Sequence, residues 1–284
     1  MNPHNQQLFV LIVHYGDEAI TRQALASLKR STTQPSLIIV IDHGRTPLVV
    51  SPDPTIQVVR PSSGGGYAAG VNFGLGFLLH RQSQANDVVV VMNNDVEVYP
   101  DTLAHLLTAW RSIGTPSLIG VQVEERGVVV HGGGSVNKLT GRATLRETSG
   151  GALQYIHGAF IAAPYAVWLK LQGLPSHYYM YWEDVLLGRR ARVLRIPLQY
   201  LPTVIVKHHT GDKTSAQQHY YLIRNGALFM QQELPIPIRW WWVIYNRLRY
   251  FYHLLCSGPR HRRTARALRD ALMGKTGKTK EATP

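Results

Sequence analysis

Residues 87–101 read DVVVVMNNDVEVYPD, a run of apolar side chains that gives way abruptly to short polar ones. A continuous apolar run of this length is typical of a strand that is buried on both faces of a parallel sheet. We therefore predict a strand over Asp87–Met92, ending on Asn93-Asn94-Asp95. Pro100 is predicted to open the next helix, because proline is favoured in the first helical turn.

The same alternation precedes this stretch. Apolar runs predict strands, and apolar residues at helical spacing predict helices. The strands are predicted at Leu8–Val13, Leu37–Ile41 and Ile56–Val59, and the helices at Asp17–Arg30, with Asp17 as N-cap, and about Tyr67–Leu79. Because strands and helices alternate, we predict an α/β fold with a mostly parallel twisted sheet flanked by helices.

Two aspartates, Asp42 and Asp95, come just after predicted strands. Ligands of open parallel sheets bind beyond the carboxyl ends of the strands, so we expect both to lie at one crevice. Asp95 offers a hard oxygen ligand suited to Mg²⁺ or Mn²⁺, and a metal there would neutralise a diphosphate leaving group. A plain Asn/Asp turn is the alternative explanation of this tripeptide.

The second half of the chain is less regular. Residues 118–162 are rich in glycine and valine and indicate short mixed strands. Helices are predicted at Pro164–Leu171, Glu183–Arg192 and Ser215–Gln232, and a strand at Tyr200–Val206, ending on Lys207-His208-His209. We divide the chain into one α/β domain of two halves, residues 1–115 and 116–232, and a C-terminal tail, residues 233–284.

Three further motifs offer chemistry. The glycine-rich stretch PSSGGGYAAGVN, residues 61–72, would present amides to a phosphate, or it is a flexible loop before a small-residue helix. Glu183-Asp184 follows four closely spaced aromatics, which suits a general base of raised pKa, although acids also favour helix N-termini. His208-His209 would complete a metal site, or it is a structural or surface pair.

The formal net charge is +13, which indicates a polyanionic partner: nucleic acid, anionic lipid or a phosphorylated substrate. The basic residues crowd between Arg239 and Lys280, where Asp270 is the single acid. A nucleic-acid partner is not expected, because the basic residues of such a protein would line a groove, whereas here they crowd the C-terminus. Cys256 is the one cysteine, so no intrachain disulfide can form, and a reducing compartment is expected.

Residues 236–255 read IPIRWWWVIYNRLRYFYHLL. Aromatic and basic residues on one helix suit an interfacial position on an anionic membrane, whereas packing on the catalytic domain is the alternative. We therefore expect a cytoplasmic protein, peripheral on the inner face of the cytoplasmic membrane. The apolar stripe of this helix is predicted to comprise Ile238, Trp241, Trp242, Tyr245, Leu248, Tyr252 and Leu255.

The order of these motifs resembles one family. The stretches LIVHYGD, IVIDHGRT, GGGYAAGVNFGL, VVVVMNNDVEVYPD, HGAFIAAP, YYMYWEDVLLGRRAR, VIVKHHTG, YYLIRNGALF and ALRDALMGKTGK occur between about residues 8 and 277. Together they resemble family 2 glycosyltransferases of the GT-A fold, in particular the bacterial rhamnosyltransferase-like branch. The resemblance implies a Rossmann-like nucleotide-binding half and a C-terminal helical basic tail.

The resemblance also implies roles. Asp184, paired with Glu183, corresponds to the catalytic base, and Asp95 and His208 to the metal-binding positions for Mn²⁺ or Mg²⁺. Arg224 would face the diphosphate, or form a structural ion pair. The donor-side positions are Asp42, Gly66, Asn72, Asn93, Asn94 and Arg224.

The implied reaction is transfer of a sugar, rhamnose being favoured, from a dTDP- or UDP-sugar to a glycan or lipid-linked acceptor, with inversion. Three positions depart from the family's pattern: Asn93 and Leu186 stand where acids are frequent, and Gly64 where asparagine is usual. A nucleotidyltransferase of similar fold, a basic nucleic-acid-binding protein and a transferase fold that has lost its activity are the alternatives.

Overall fold

The computed structural model describes residues 6–62, 65–81, 83–145, 153–209 and 215–279. Its elements alternate as predicted in the first half and become mixed in the second. In chain order they are β1 (Leu8–His14), α1 (Glu18–Lys29), β2 (Leu37–Asp42), β3 (Ile56–Val59), α2 (Tyr67–His80), β4 (Val88–Asn93), β5 (Val96–Val98), α3 (Thr102–Ile113), β6 (Leu118–Glu125), β7 (Val128–Val130), β8 (Gly133–Val136), β9 (Ala143–Leu145), β10 (Tyr155–Ile156), β11 (Phe160–Pro164), α4 (Tyr165–Leu171), α5 (Glu183–Val193), β12 (Leu198–His208), α6 (Ala216–Gln232), α7 (Ile236–Leu255) and α8 (Pro259–Leu272).

The first half forms a parallel sheet in the order β3-β2-β1-β4. This is the strand order of a Rossmann-like half, in which the order reverses beside the first strand. The strands end level with one another, since His14 pairs with Asp42 and Val13 with Asn93. The predicted α/β fold and sheet are confirmed, and the carboxyl ends of three strands meet at one edge.

The second half extends this sheet with mixed strand directions. Antiparallel β11 joins β4 to β6, β12 pairs parallel with β6, and β5 closes the edge antiparallel to β12. A small sheet of order β10-β8-β9 lies apart from it. The prediction of a parallel sheet therefore holds for the first half of the chain, whereas the short valine-rich strands pair in both directions.

Helices cover both faces of the large sheet. One core cluster packs α1 and α3 against it through residues such as Leu28 and Leu106, and the other packs α2, α4 and α5 through residues such as Val71, Trp168 and Leu187. The three layers explain why β1, β2 and β4 read as continuous apolar runs, since both of their faces are covered.

Helix ends agree with the sequence to within two residues. Asp17 caps α1, as predicted, by accepting a hydrogen bond of 2.8 Å from the Ala19 amide. Pro100 does not open α3, which begins at Thr102 after Asp101, because Pro100 still belongs to the turn that follows β5. Within the described ranges, no helix is both long enough and apolar enough to cross a bilayer.

The tail is helical and packs on the body of the protein. It forms α7 and a second helix, α8, and both contact α6 and each other. Leu268 and Ala271 of α8 join a core cluster with Leu228 of α6 and Trp242 of α7. The large sheet itself runs without interruption from β4 to β11, across the boundary predicted at residue 115.

Candidate active site

A cavity of about 520 Å³ opens where the strands of the nucleotide-binding half end. Its volume lies in the range of ordinary ligand sites. One side is formed by the ends of β1 and β4, and the other by residues 179–185 before and at the start of α5. The predicted site residues that line it are Gly66, Asn93, Asn94, Asp95, Glu183, Asp184 and His208.

Asp95 and His208 are brought together by strand pairing. β5 runs antiparallel to β12 with Val96 opposite His208, so Asp95 lies beside the imidazole. His208 Nε2 lies 3.3 Å from Asp95 Oδ1. This buried oxygen has no well-directed hydrogen bond among the described residues. An unsatisfied buried carboxylate oxygen beside an imidazole fits a site for a hard divalent cation.

The second nitrogen of His208 is held by Glu125, the last residue of β6. Glu125 pairs with His208 in the parallel ladder, and its Oε1 lies 2.8 Å from His208 Nδ1. A carboxylate on one imidazole nitrogen directs the other nitrogen at a metal. Burial lowers the pKa of His208, but the carboxylates of Asp95 and Glu125 outweigh it and hold the pKa above its usual value.

His157 completes a second possible donor set. Ligand atoms of Glu125, His157 and His208 lie within 4.8 Å of one another, so these three residues could hold a metal ion among themselves. Burial, followed by the nearby His208, lowers the pKa of His157 to about 4, which keeps its imidazole neutral and able to coordinate. Both arrangements share His208 and combine carboxylate oxygen with imidazole nitrogen, a donor set that can hold a divalent cation.

Glu183 and Asp184 begin α5 inside the cavity. Asp184 accepts hydrogen bonds from the amides of Gly158 at 3.2 Å and Val185 at 2.8 Å. Burial raises the pKa of both carboxyl groups, and the charge of Asp184 raises that of Glu183 further. Two buried carboxyl groups side by side do not readily ionise together, so the pair is suited to a site in which neighbouring carboxyl groups have different tasks.

The aromatic segment before α5 has an unusual backbone. Tyr179, Tyr181 and Trp182 adopt φ values of 74°, 62° and 72°, in the left-handed region that large side chains rarely occupy. Each such residue costs about 1–3 kcal/mol and persists when its surroundings impose it. No local pattern in the sequence indicates this conformation, and residues of α6 hold the segment in place.

Asn225 on α6 holds that segment. Its Nδ2 lies 2.7 Å from the carbonyl of Met180, 3.0 Å from that of Tyr181 and 3.2 Å from that of Tyr178. Asn225 is fully buried, so no solvent competes for these carbonyls. Sequence reasoning missed this residue, although it stands directly beside Arg224.

Arg224 does not line the cavity. Its guanidinium is fully buried and donates to the carbonyls of Tyr178 at 2.9 Å and Gly277 at 2.8 Å, and to Asn225 Oδ1 at 2.9 Å. Among the described residues its hydrogen bonds go to these backbone carbonyls and to Asn225 rather than to an acidic side chain, and its contact with a diphosphate stays a prediction. By bonding the carbonyls of Tyr178 and Gly277, the guanidinium joins the aromatic segment to the chain beyond α8. These backbone carbonyls also solvate its buried charge.

Asp42 and Asn72, which are predicted to lie on the donor side, are not among the residues that line this cavity. Asp42 accepts hydrogen bonds from the amides of Gly44 and Leu48 and from Arg60. Burial alone would raise the pKa of Asp42, but these hydrogen bonds and the charge of Arg60 outweigh it and lower the pKa. The same hydrogen bonds shape the loop that carries His43 to the cavity. The side-chain amide of Asn72 donates a hydrogen bond to the carbonyl of Leu174 and accepts one from the backbone amide of the same residue.

Gly66 lines the cavity for a steric reason. A Cβ at this position would stand 1.8 Å from the carbonyl oxygen of Tyr179, so only glycine lets the start of α2 approach the aromatic segment. Asn94 lines the cavity beside it and donates to the carbonyl of Tyr15 and to Thr21. The preceding Gly64 lies outside the described residues.

Comparison with known proteins identifies the class. The family described as Glycosyl transferase family 2 matches residues 9–163, more than half of the chain. The protein belongs to this family and is a glycosyltransferase, not a nucleotidyltransferase of similar fold or a nucleic-acid-binding protein. It is 22% identical to the N-acetylglucosaminyl-diphospho-decaprenol L-rhamnosyltransferase of Mycobacterium tuberculosis (strain CDC 1551 / Oshkosh), over 92% of this chain and 96% of the relative.

Solved structures share the GT-A fold. S. aureus TarS 1-349 in complex with UDP-GlcNAc aligns with a TM-score of 0.55 at 13% identity, over 94% of this chain and 82% of that one. The mannosyltransferase PcManGT from Pyrobaculum calidifontis, in complex with GDP-Man and Mn²⁺, aligns with a TM-score of 0.53 at 13% identity, over 94% and 74%. In a second crystal structure of S. aureus TarS, which contains a longer chain, the present chain covers 43% of that chain's length.

Glu125→Gln tests the orientation of His208. Replacing the carboxylate by an amide weakens the contact with His208 Nδ1, and we expect Mn²⁺ affinity to fall about 10- to 100-fold. Titration calorimetry with Mn²⁺ measures the change. Glu124→Gln is the matched control, because Glu124 contacts the Tyr99 hydroxyl instead. Equal losses in both variants would contradict the arrangement.

Asn225→Ala tests the support of the aromatic segment. The carbonyls of Met180 and Tyr181 lose their buried donor, and we expect the free energy of unfolding to fall by about 2–4 kcal/mol. Urea denaturation measures it, with Gln232→Ala at the exposed end of α6 as control. A loss below about 1 kcal/mol would show that the left-handed conformation is maintained without this residue.

Proposed function

We propose that this glycosyltransferase is metal-dependent and inverting, and that it moves a sugar from a nucleoside diphosphate to a hydroxyl of a lipid-linked or polysaccharide acceptor. The observation that carries the proposal is that the Asp95–His208 pair and the carboxylate of Asp184 line one cavity. The first supplies ligands for a cation beside a diphosphate, and the second supplies a base.

The metal would be Mn²⁺ or Mg²⁺, held by Asp95 and His208 with Glu125 orienting the imidazole. The Glu125, His157 and His208 group is the alternative donor set. A bound divalent ion supplies charge neutralisation for the departing diphosphate, so no general acid is needed. The complex of PcManGT with GDP-Man and Mn²⁺ supports this choice of chemistry.

Asp184 would act as the general base. Its carboxylate is fixed by the amides of Gly158 and Val185 and takes the proton of the acceptor hydroxyl. The acceptor oxygen forms a bond to the anomeric carbon as the bond to the diphosphate oxygen breaks. With one base and direct displacement, the anomeric configuration inverts. Glu183, protonated beside it, keeps a second negative charge out of the cavity.

The division of the cavity suggests how the substrates lie. Residues 1–115 would bind the nucleotide sugar through Asn93, Asn94 and the loop at Gly66, and residues 116–232 would bind the acceptor beside Asp184. A dTDP- or UDP-sugar is proposed as donor, with rhamnose favoured by the name of the mycobacterial relative. That name also supports a lipid-linked diphosphate acceptor, and hence action at the inner face of the cytoplasmic membrane.

Asp184→Asn and Glu183→Gln separate the two carboxyl groups. Asp184→Asn removes the base and should lower kcat about 10²–10⁴-fold. Glu183→Gln replaces a protonated carboxyl group by an uncharged amide of similar shape and should keep kcat within about tenfold of the wild type. Because burial raises the pKa of Asp184, wild-type activity should be lost on acidification at a higher pH than an ordinary aspartate would give. Initial rates across pH measure both effects, and equal losses in the two variants would reverse the assignment.

Thermal stabilisation by UDP, dTDP, GDP and CDP, each with and without Mn²⁺, tests the donor site directly. A ligand that binds the native state raises the melting temperature. We expect one nucleotide to stabilise the protein only with metal, and Asp95→Ala to abolish the effect. No stabilisation at millimolar nucleotide would refute the donor site, and stabilisation unchanged in Asp95→Ala would remove that residue from it.

A further inference from the structure

Helix α7 has two different faces. The inner face packs on the protein: Trp242 is 2% exposed, and its indole donates to the carbonyl of Lys138 at 2.9 Å. Asn246, one turn further on, is fully buried. The stripe predicted from the sequence is therefore divided, because Trp242 faces inward while Trp241 and Leu248 face outward.

The outer face is apolar, and no helix or strand of the described part of the chain covers it. It consists of large side chains spaced three, four or one residue apart, which places them on one side of an α-helix. They cover about 23 Å of helix length at the usual rise per residue. The members that define this face are Trp240, Trp241, Ile244, Leu248, Phe251 and Leu255, all more than half exposed, with Leu255 at 89%.

The surroundings of this face are cationic. Arg247 on α7 is exposed, as are Arg260, Arg262 and Arg269 on the adjoining α8. Asp270, the acid of this region, is 2% exposed and is bonded by the Tyr220 hydroxyl and Lys275, so its charge does not reach the surface. An apolar stripe beside exposed arginines matches an anionic bilayer, which offers an apolar interior below negative headgroups. A second copy would instead bring two cationic surfaces together.

α7 is also joined to the wall of the cavity. Trp242 lies against Gly141 and the carbonyl of Lys138, in the turn that connects β8 to β9. The next strand, β9, carries Ala143 and Leu145, and both line the cavity. A surface that engages the outer face of α7 is therefore separated from this side of the cavity by about one helix diameter, on the order of 10 Å.

We propose that the outer face of α7 inserts into the headgroup region of an anionic membrane and brings the cavity wall at β9 to the lipid surface. The aromatic side chains would lie at the boundary of headgroups and acyl chains, with the arginines of α7 and α8 on lipid phosphates. A lipid-linked acceptor in the same leaflet would then meet the cavity from the side of β9, a part of the inference that rests on the proposed function.

Co-sedimentation of the full chain with vesicles tests the proposal without turnover. Vesicles of phosphatidylglycerol and phosphatidylcholine are compared with phosphatidylcholine alone, and Trp240 and Trp241 should show blue-shifted emission on binding. The double variant Trp241→Glu, Leu248→Glu should lose about tenfold or more of the binding, because two apolar side chains that would enter the membrane become charged. Val49→Glu with Leu79→Glu, which changes two exposed apolar residues elsewhere, is the matched control.

Wild-type protein that stays in the supernatant with anionic vesicles, or a double variant that binds as tightly as the control, would overturn the proposal. So would a wild-type dimer, found by sedimentation velocity, that the double variant dissociates, since a second copy would then cover the face. Stabilisation by a nucleotide with Mn²⁺ is measured on the same samples. If it fails while vesicle binding persists, the donor site is wrong and the membrane surface stands.

Discussion

The active site depends on one strand and its two neighbours. β12 pairs with β6 on one side and β5 on the other, and this register sets His208 between Glu125 and Asp95. The three residues are far apart in the chain, and a shift of one residue in either pairing would turn His208 to the opposite face of the sheet. The placement of these three side chains is thus a property of sheet register rather than of any local motif.

Much of the fold was predictable because burial on both faces leaves a strong mark on the sequence. β1, β2, β3 and β4 were placed to within about one residue from apolar runs alone. Polar groups at the ends of strands and helices collect at one edge of the sheet. For this reason the sequence could predict that the cavity would be lined by Asp95, His208 and the Glu183-Asp184 pair.

What could not be predicted depends on partners distant in sequence. Glu125 follows another acid at the end of a valine-rich strand, and only the ladder with β12 shows which of the two faces His208. Asp42 follows a strand just as Asp95 does, yet its oxygens are used by its own loop and by Arg60. A carboxylate that binds a ligand and one that holds a loop look alike in a single sequence.

The hydrogen bonds of Arg224 have a consequence for how the protein is made. The aromatic segment at residues 178–182 is held in part by a guanidinium that also bonds the carbonyl of Gly277, and the amide of Gly277 bonds the carbonyl of His177. A chain grows from its N-terminus, and domains fold as they emerge from the ribosome. The first half of the chain can form early in synthesis, whereas the segment at residues 178–182 reaches its final shape only after residue 277 has left the exit tunnel.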